Sequence, residues 1–175
     1  MTAQRNELAR QLGDLCRLKG RFTLRSGQTS ATYFDKYLFE GDPGLLKQIA
    51  VHMVPLVPDD TEVLAGLELG GIPVVTALSL ESGIPASFVR KQAKPYGTAR
   101  LAEGADIAGR QVLVVEDIIT TGGQAARSTA DLRNLGARID HVLCVIDRSG
   151  GDCTQLNAIG VRVNALFTGA DVGEG

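Results

Sequence analysis

The residues best suited to chemistry lie together in "VLVVEDIITTGGQ", residues 112–124. An apolar run ends in Glu116 and Asp117, passes through Ile118 and Ile119, and reaches Thr120, Thr121, Gly122, Gly123 and Gln124 ahead of a helical pattern. Glycines allow left-handed backbone angles, so successive N–H groups can converge on an anion at a helix N-terminus. A phosphate monoester suits that turn, and the two threonine hydroxyls add donors. Neither G-x-x-x-x-G-K-[ST] nor G-x-G-x-x-G occurs there, which sets aside the commonest nucleotide loops. Carboxylates repel phosphate, and an unpaired buried one costs several kcal/mol. Glu116 and Asp117 must therefore meet another part of the same ligand. A ribose 5-phosphate fits both demands, its phosphate in the turn and its 2- and 3-hydroxyls on the two acids. The plainer reading is a strand that ends at the surface in a capping turn.

Three further stretches carry polar chemistry. "FVRKQAKPYGTARLAEG", residues 88–104, interleaves Arg90, Lys91, Lys94 and Arg100 with Pro95, Gly97 and Gly104. It reads as a cationic flap able to close over a polyanion such as diphosphate, or else as a solvated basic loop. "CVIDRSGG", residues 144–151, places Arg148 at a strand end, where its guanidinium can fork onto a ligand carboxylate or pair locally with Asp147. "FTLRSGQTSATYFDKY", residues 22–37, carries Arg25 and the adjacent aromatics Tyr33 and Phe34. Neighbouring strand residues face opposite ways, so one ring can stack on a ligand while the other packs inward.

The elements that must position these residues follow from periodicity. Leu8, Leu12, Leu15 and Leu18 predict a helix over 4–19, with Gly20 as its stop. Two short antiparallel strands follow within 21–39 and form a small appendage. From Asp42 and Pro43, a cap and a first helical position, helices and apolar strands alternate to the end. Helices are expected near 43–56, 72–82, 124–135 and 154–159. Strands are expected at "TEVLAGLELGG", "PASFVRK", "QVLVVED", "IDHVLCVID" and "VRVNALFT". Such alternation predicts an α/β domain with a parallel sheet and ligands at the carboxyl ends of its strands.

Composition bounds the rest. At 175 residues and 44% hydrophobic content the chain suits one domain, and 18 Lys and Arg against 20 Asp and Glu leave a net charge of -2. That balance argues against nucleic-acid binding. Three scattered cysteines and two histidines form no metal-ligand spacing, and no apolar stretch reaches membrane-spanning length. The expectation is a cytoplasmic protein without membrane or nucleic-acid partners.

"VLVVEDIITTGGQ" resembles the phosphoribosyl-diphosphate motif of type I phosphoribosyltransferases, and the flap and hood stretches resemble those of orotate phosphoribosyltransferases. The resemblance covers 22–151 and implies a central parallel sheet flanked by helices, with a small N-terminal hood (about 1–40) on a core (about 41–175). It implies transfer of ribose 5-phosphate from phosphoribosyl diphosphate to orotate, with Mg2+ held mainly by the substrate and no direct protein ligand. By that likeness Arg90, Lys91, Lys94, Tyr96, Glu116, Asp117, Ile118, Ile119, Thr120, Thr121, Gly122, Gly123 and Gln124 bind the donor. Arg25, Tyr33, Phe34, Thr120 and Arg148 bind orotate, and Lys94 and Asp117 are the catalytic pair. A homodimer with shared sites is implied, Lys91 crossing to the neighbour. Two departures stand out: Tyr96 replaces a common His, and Leu69 and Gly70 stand where many members carry Tyr-Lys, leaving only backbone there for diphosphate. A purine phosphoribosyltransferase and a non-catalytic phosphoribosyl-diphosphate sensor are the alternatives.

Overall fold

The computed structural model describes residues 3–23, 27–92 and 100–173. Helix α1 (Ala3–Cys16) leads into a hairpin of β1 (Arg17–Thr23) and β2 (Thr29–Phe34), which pair antiparallel. The first helix is thus shorter than its leucine spacing predicts. Cys16 O accepts the Asp35 N–H at 2.8 Å and Arg17 pairs with Phe34, so hairpin bonding takes over the backbone from residue 17 onward. Gly20, expected as a helix stop, lies inside β1, where the register shifts between Lys19 and Phe22.

A four-residue turn of helix, α2 (Tyr37–Glu40), joins the hairpin to α3 (Pro43–Met53). Asp42 caps α3, its carboxylate accepting the Gly44 and Leu45 N–H groups at 2.9 Å, with Pro43 at the first helical position. The expected strand and helix order then appears as β3 (Val63–Leu67), α4 (Gly71–Ser82), β4 (Ala86–Val89), β5 (Ala102–Gly104), β6 (Val112–Ile119), α5 (Gly123–Asn134), β7 (His141–Asp147), α6 (Thr154–Asn157) and β8 (Arg162–Thr168). The sheet runs β5-β4-β3-β6-β7-β8, parallel except for β5, a short edge strand that the polar sequence around it gave no reason to expect.

Both faces of this sheet are covered, and alternation along β6 sorts the core into two layers. Leu113 and Val115 pack toward α1, α3 and α4 with Leu12, Ile49, Val75 and Phe167. Val112 and Val114 pack toward α5 and α6 with Leu132, Ile139 and Leu156. Fully buried side chains of this size contribute roughly 1.5–3 kcal/mol each. Gly66 in β3 lets α4 lie close, since a β-carbon there would overlap Val75 Cγ1 and stand 2.7 Å from the Gly71 carbonyl oxygen. The N-terminal segment is bound to the core's far end. Arg5 donates to the Leu166 carbonyl and Arg17 to that of Val172.

Chain order reverses between β3 and β6. From β3 the chain moves outward to β4 and β5, then returns to lay β6 on the other side of β3 and continues to β7 and β8. Strand ends on either side of such a reversal diverge and leave a crevice at their carboxyl edge.

Candidate active site

A cleft of about 430 Å³ opens at that edge, its wall made by Glu116, Ile118 to Ala125, Lys91, Arg127 and Gln155. Strand β6 runs two residues further than expected, to Ile119, and the glycine turn follows at once. Gly122 takes the left-handed φ of 71° and caps α5 without a side chain, while Gly123 begins the helix. A β-carbon on Gly122 would also press on Leu156 Cδ1 at 3.1 Å. The first N–H groups of α5 thus meet the cleft as the dipole's positive end, the arrangement that receives phosphate. Thr120, Thr121 and Gln124 line the same cleft.

The two acids divide between two environments. Glu116 lines the cleft, whereas Asp117 is 2% exposed and lies on the strand face shared with Leu113 and Val115. There Asp117 pairs with Lys36 and accepts the Ile118 N–H. Glu40, at the end of α2, is buried beside it, and its Oε1 atom has no hydrogen-bond partner. Burial and then the adjacent Asp117 carboxylate push the Glu40 carboxyl up to about 8, with Lys36 opposing. Burial and then the Asp117 charge push Glu116 up to about 8 as well, with Lys36 opposing. The cluster therefore sets Asp117 against Lys36, with two carboxyls beside it that favour their protons. An anion approaching the turn does not meet two bare negative charges.

The loop after β3 comes up against this cluster. Gly70 has ordinary helical angles, yet a β-carbon there would overlap Asp117 Oδ2 and stand 2.7 Å from Glu40 Oε1. Gly71 backs onto the Val115 carbonyl, and a β-carbon there would lie 3.5 Å from Glu116 Oε2. Glu68 of the same loop accepts the Lys91 N–H at 2.6 Å, anchoring the start of the basic stretch to β3. Arg90 is exposed, its N–H bonded to the Leu101 carbonyl at 2.9 Å. Lys94 and Tyr96 lie outside the described residues, as does Arg25.

The aromatic pair separates as its strand positions require. Phe34 is buried, with the Arg148 guanidinium 5.9 Å from its ring centroid. Tyr33 is 42% exposed on the other face of the hairpin, against Phe22 at 5.5 Å. Arg148 follows β7, its N–H bonded to the Ile119 carbonyl at 2.8 Å, which ties it to the end of the acidic strand. It helps line a second cleft of about 390 Å³ with Gly150, Gly151 and Thr168. Asp147 accepts the Ser149 N–H at 2.8 Å. Arg148, Phe34 and the β6 turn are thus neighbours, although more than a hundred residues separate the first two.

Lys36, Glu40, Arg127 and Gln155 belong to the site without having stood out in the sequence. Gln155 closes the turn from α6, its Oε1 2.8 Å from where a Gly123 β-carbon would be. Among the described residues no group of three or more His, Cys, Asp or Glu side chains converges as a metal cage, and no helix is long and apolar enough to cross a membrane.

Comparison with known proteins agrees with this geometry. The phosphoribosyl transferase domain model matches residues 45–153. An orotate phosphoribosyltransferase of a Nocardioides species is 52% identical over 94% of this chain and 92% of its own. That of Halobacterium salinarum is 45% identical over 87% of each chain. The Mycobacterium tuberculosis orotate phosphoribosyltransferase, solved in complex with 5-phospho-alpha-D-ribosyl 1-diphosphate, superposes with a TM-score of 0.83 at 34% identity, covering 97% of this chain and 99% of the other. A crevice at the sheet's reversal, a glycine turn opening α5, an acidic strand end and relatives matched over nearly their whole length lead to one conclusion: the chain belongs to the orotate phosphoribosyltransferases of the phosphoribosyl transferase family.

Proposed function

We propose that the protein transfers ribose 5-phosphate from phosphoribosyl diphosphate to orotate, giving orotidine 5-phosphate and diphosphate for pyrimidine nucleotide synthesis. The observation that carries this reading is the meeting of Arg148 and Phe34 beside the turn that closes β6. An arginine and an aromatic face suit a flat ring bearing a carboxylate, whereas a purine base offers no carboxylate to such a guanidinium.

The donor's 5-phosphate is assigned to Thr120, Thr121, Gly122, Gly123 and Gln124, with Ile118 and Ile119 shaping the wall and Glu116 and Asp117 serving the ribose hydroxyls. Orotate is assigned to Phe34, Thr120 and Arg148, with Arg25 and Tyr33 contributing from the hood. Arg90, Lys91, Lys94 and Tyr96 are assigned to the diphosphate, and Lys94 and Asp117 are assigned the catalytic roles. Departure of diphosphate leaves a cation-like sugar, so the work of the chain is alignment and charge stabilisation rather than covalent attack.

With Asp117 committed to Lys36 and Glu116 favouring its proton, the acids suit a metal carried in on ligand oxygens better than one caged by protein. Mg2+ on the donor would spread the leaving group's charge. The family relationship supports a homodimer, and the reaction belongs with soluble cytoplasmic metabolism. Loss of orotate absorbance with donor and Mg2+ present, and its absence when either is omitted, tests the assignment. Orotate left unconsumed in the complete mixture would overturn it.

A further inference from the structure

Resting on the transferase reading, we propose that Lys36 is a positioning residue for the diphosphate end of the donor, a cation that the hood junction delivers to the β3–α4 turn. That turn, residues 68–71, reads Glu-Leu-Gly-Gly and carries no basic side chain. Carboxyls gather around it: Glu68 in the loop, Glu116 and Asp117 on β6, and Glu40 on α2. With the 5-phosphate in the β6–α5 turn and the hydroxyls at the acids, C1 of the ribose and its diphosphate point away from that turn toward β3. A polyanion arriving there requires positive charge on that side.

Lys36 is placed to provide it. Its ammonium bonds Asp117 Oδ2, the same oxygen that a β-carbon on Gly70 would overlap. The cation thus occupies the neighbourhood where a side chain of residue 70 would begin, entering from a segment 34 residues earlier in the chain. Its side chain is 32% exposed, so it reaches solvent beside the Gly70 turn while Asp117 at 2% does not. An ammonium carries three donors, and Lys36 can keep Asp117 while donating to a ligand oxygen. Gly70 and Lys36 act as a pair: the glycine clears the space and the lysine fills it with charge.

The test is Lys36→Met, which keeps most of the apolar stem and removes the charge. Losing a charge-assisted hydrogen bond to the donor raises its KM about tenfold or more, and inhibition by inorganic diphosphate weakens in parallel. The KM for orotate stays within about twofold, and Lys36→Arg recovers most of the loss. Calorimetric titration of phosphoribosyl diphosphate into both proteins reads the same difference without turnover. A folded Lys36→Met protein with wild-type donor affinity overturns the proposal. So does weakened donor binding with unchanged diphosphate inhibition, since Lys36 would then act only through Asp117 on the ribose. If the Met variant does not fold, Lys36→Gln retains a donor for Asp117 and carries the same comparison. Wild-type protein that binds the donor but leaves orotate unconsumed refutes the assigned reaction and leaves the Lys36 comparison standing on the titration.

Discussion

Replacing Gly70 by alanine adds a single methyl group, and the structure makes that methyl costly. Gly70 has φ -68° and ψ -29°, angles that alanine adopts freely, so backbone entropy alone would favour the variant by a few tenths to about 1 kcal/mol. Against this, the new β-carbon would overlap Asp117 Oδ2, 2.5 Å from Asp117 Cγ and 2.7 Å from Glu40 Oε1. Asp117 cannot simply withdraw, because it is buried and held by Lys36 on one side and the Ile118 N–H on the other. Overpacking of a dense site costs about 1–3 kcal/mol, and strained hydrogen bonds to a charged group cost about 1.5–3 kcal/mol if lost. The net expectation is a destabilisation of about 2–4 kcal/mol, a large part of a domain's usual margin. Urea unfolding at pH 7 measures it as a lower midpoint at unchanged slope, and donor KM rises in the same protein because Asp117 and Lys36 are displaced together. A Gly70→Ala protein as stable as wild type, with unchanged donor KM, would show that the loop rides clear of Asp117 and would refute the packing argument.

Arg148→Ala should raise the KM for orotate about tenfold or more while leaving the donor KM nearly unchanged; an unmoved orotate KM would favour a base without a carboxylate. The pH dependence of stability should change in Glu116→Gln. Folding raises the Glu116 pKa to about 8 from an unfolded value near 4.3, so its contribution favours the fold below about pH 4.5 and is lost as pH rises toward about 8. The Gln variant should therefore gain on wild type between pH 5.5 and pH 8 in urea unfolding, and parallel profiles would refute the assignment.

What the sequence disclosed was what lies contiguous in it. The strand, acids, threonines and glycines of 112–124 form one local unit, and the alternation of apolar runs with helical patterns was enough for a parallel sheet. Boundaries failed where distant bonds decide them. The leucine spacing through Leu18 favours helix, but the pairing of Arg17 with Phe34 ends it at Cys16. β5 was hidden because three residues beside a polar stretch carry no period, and only the open edge of β4 makes them a strand. The site was half legible for the same reason. Glu116 and Asp117 are adjacent in sequence and carry the same functional group, yet strand geometry sends them to different faces. Lys36 meets Asp117 across 81 positions, and nothing in "FDKY" marks that lysine as different from any other. The reading that leaves only backbone for diphosphate at Leu69 and Gly70 took no account of Lys36, which comes from the hood junction to Asp117 beside that turn.

The reversal between β3 and β6 has a consequence for how the molecule holds together. Val63 to Gly66 pair with Val112 to Val115, so this seam joins segments nearly fifty residues apart. The donor's proposed contacts fall on both sides of it, the glycine turn on one and the Gly70 loop on the other. These two sets of contacts face one another only once the two halves of the sheet have met. A bound donor then works as a clasp, and its affinity adds directly to the free energy that keeps the seam shut.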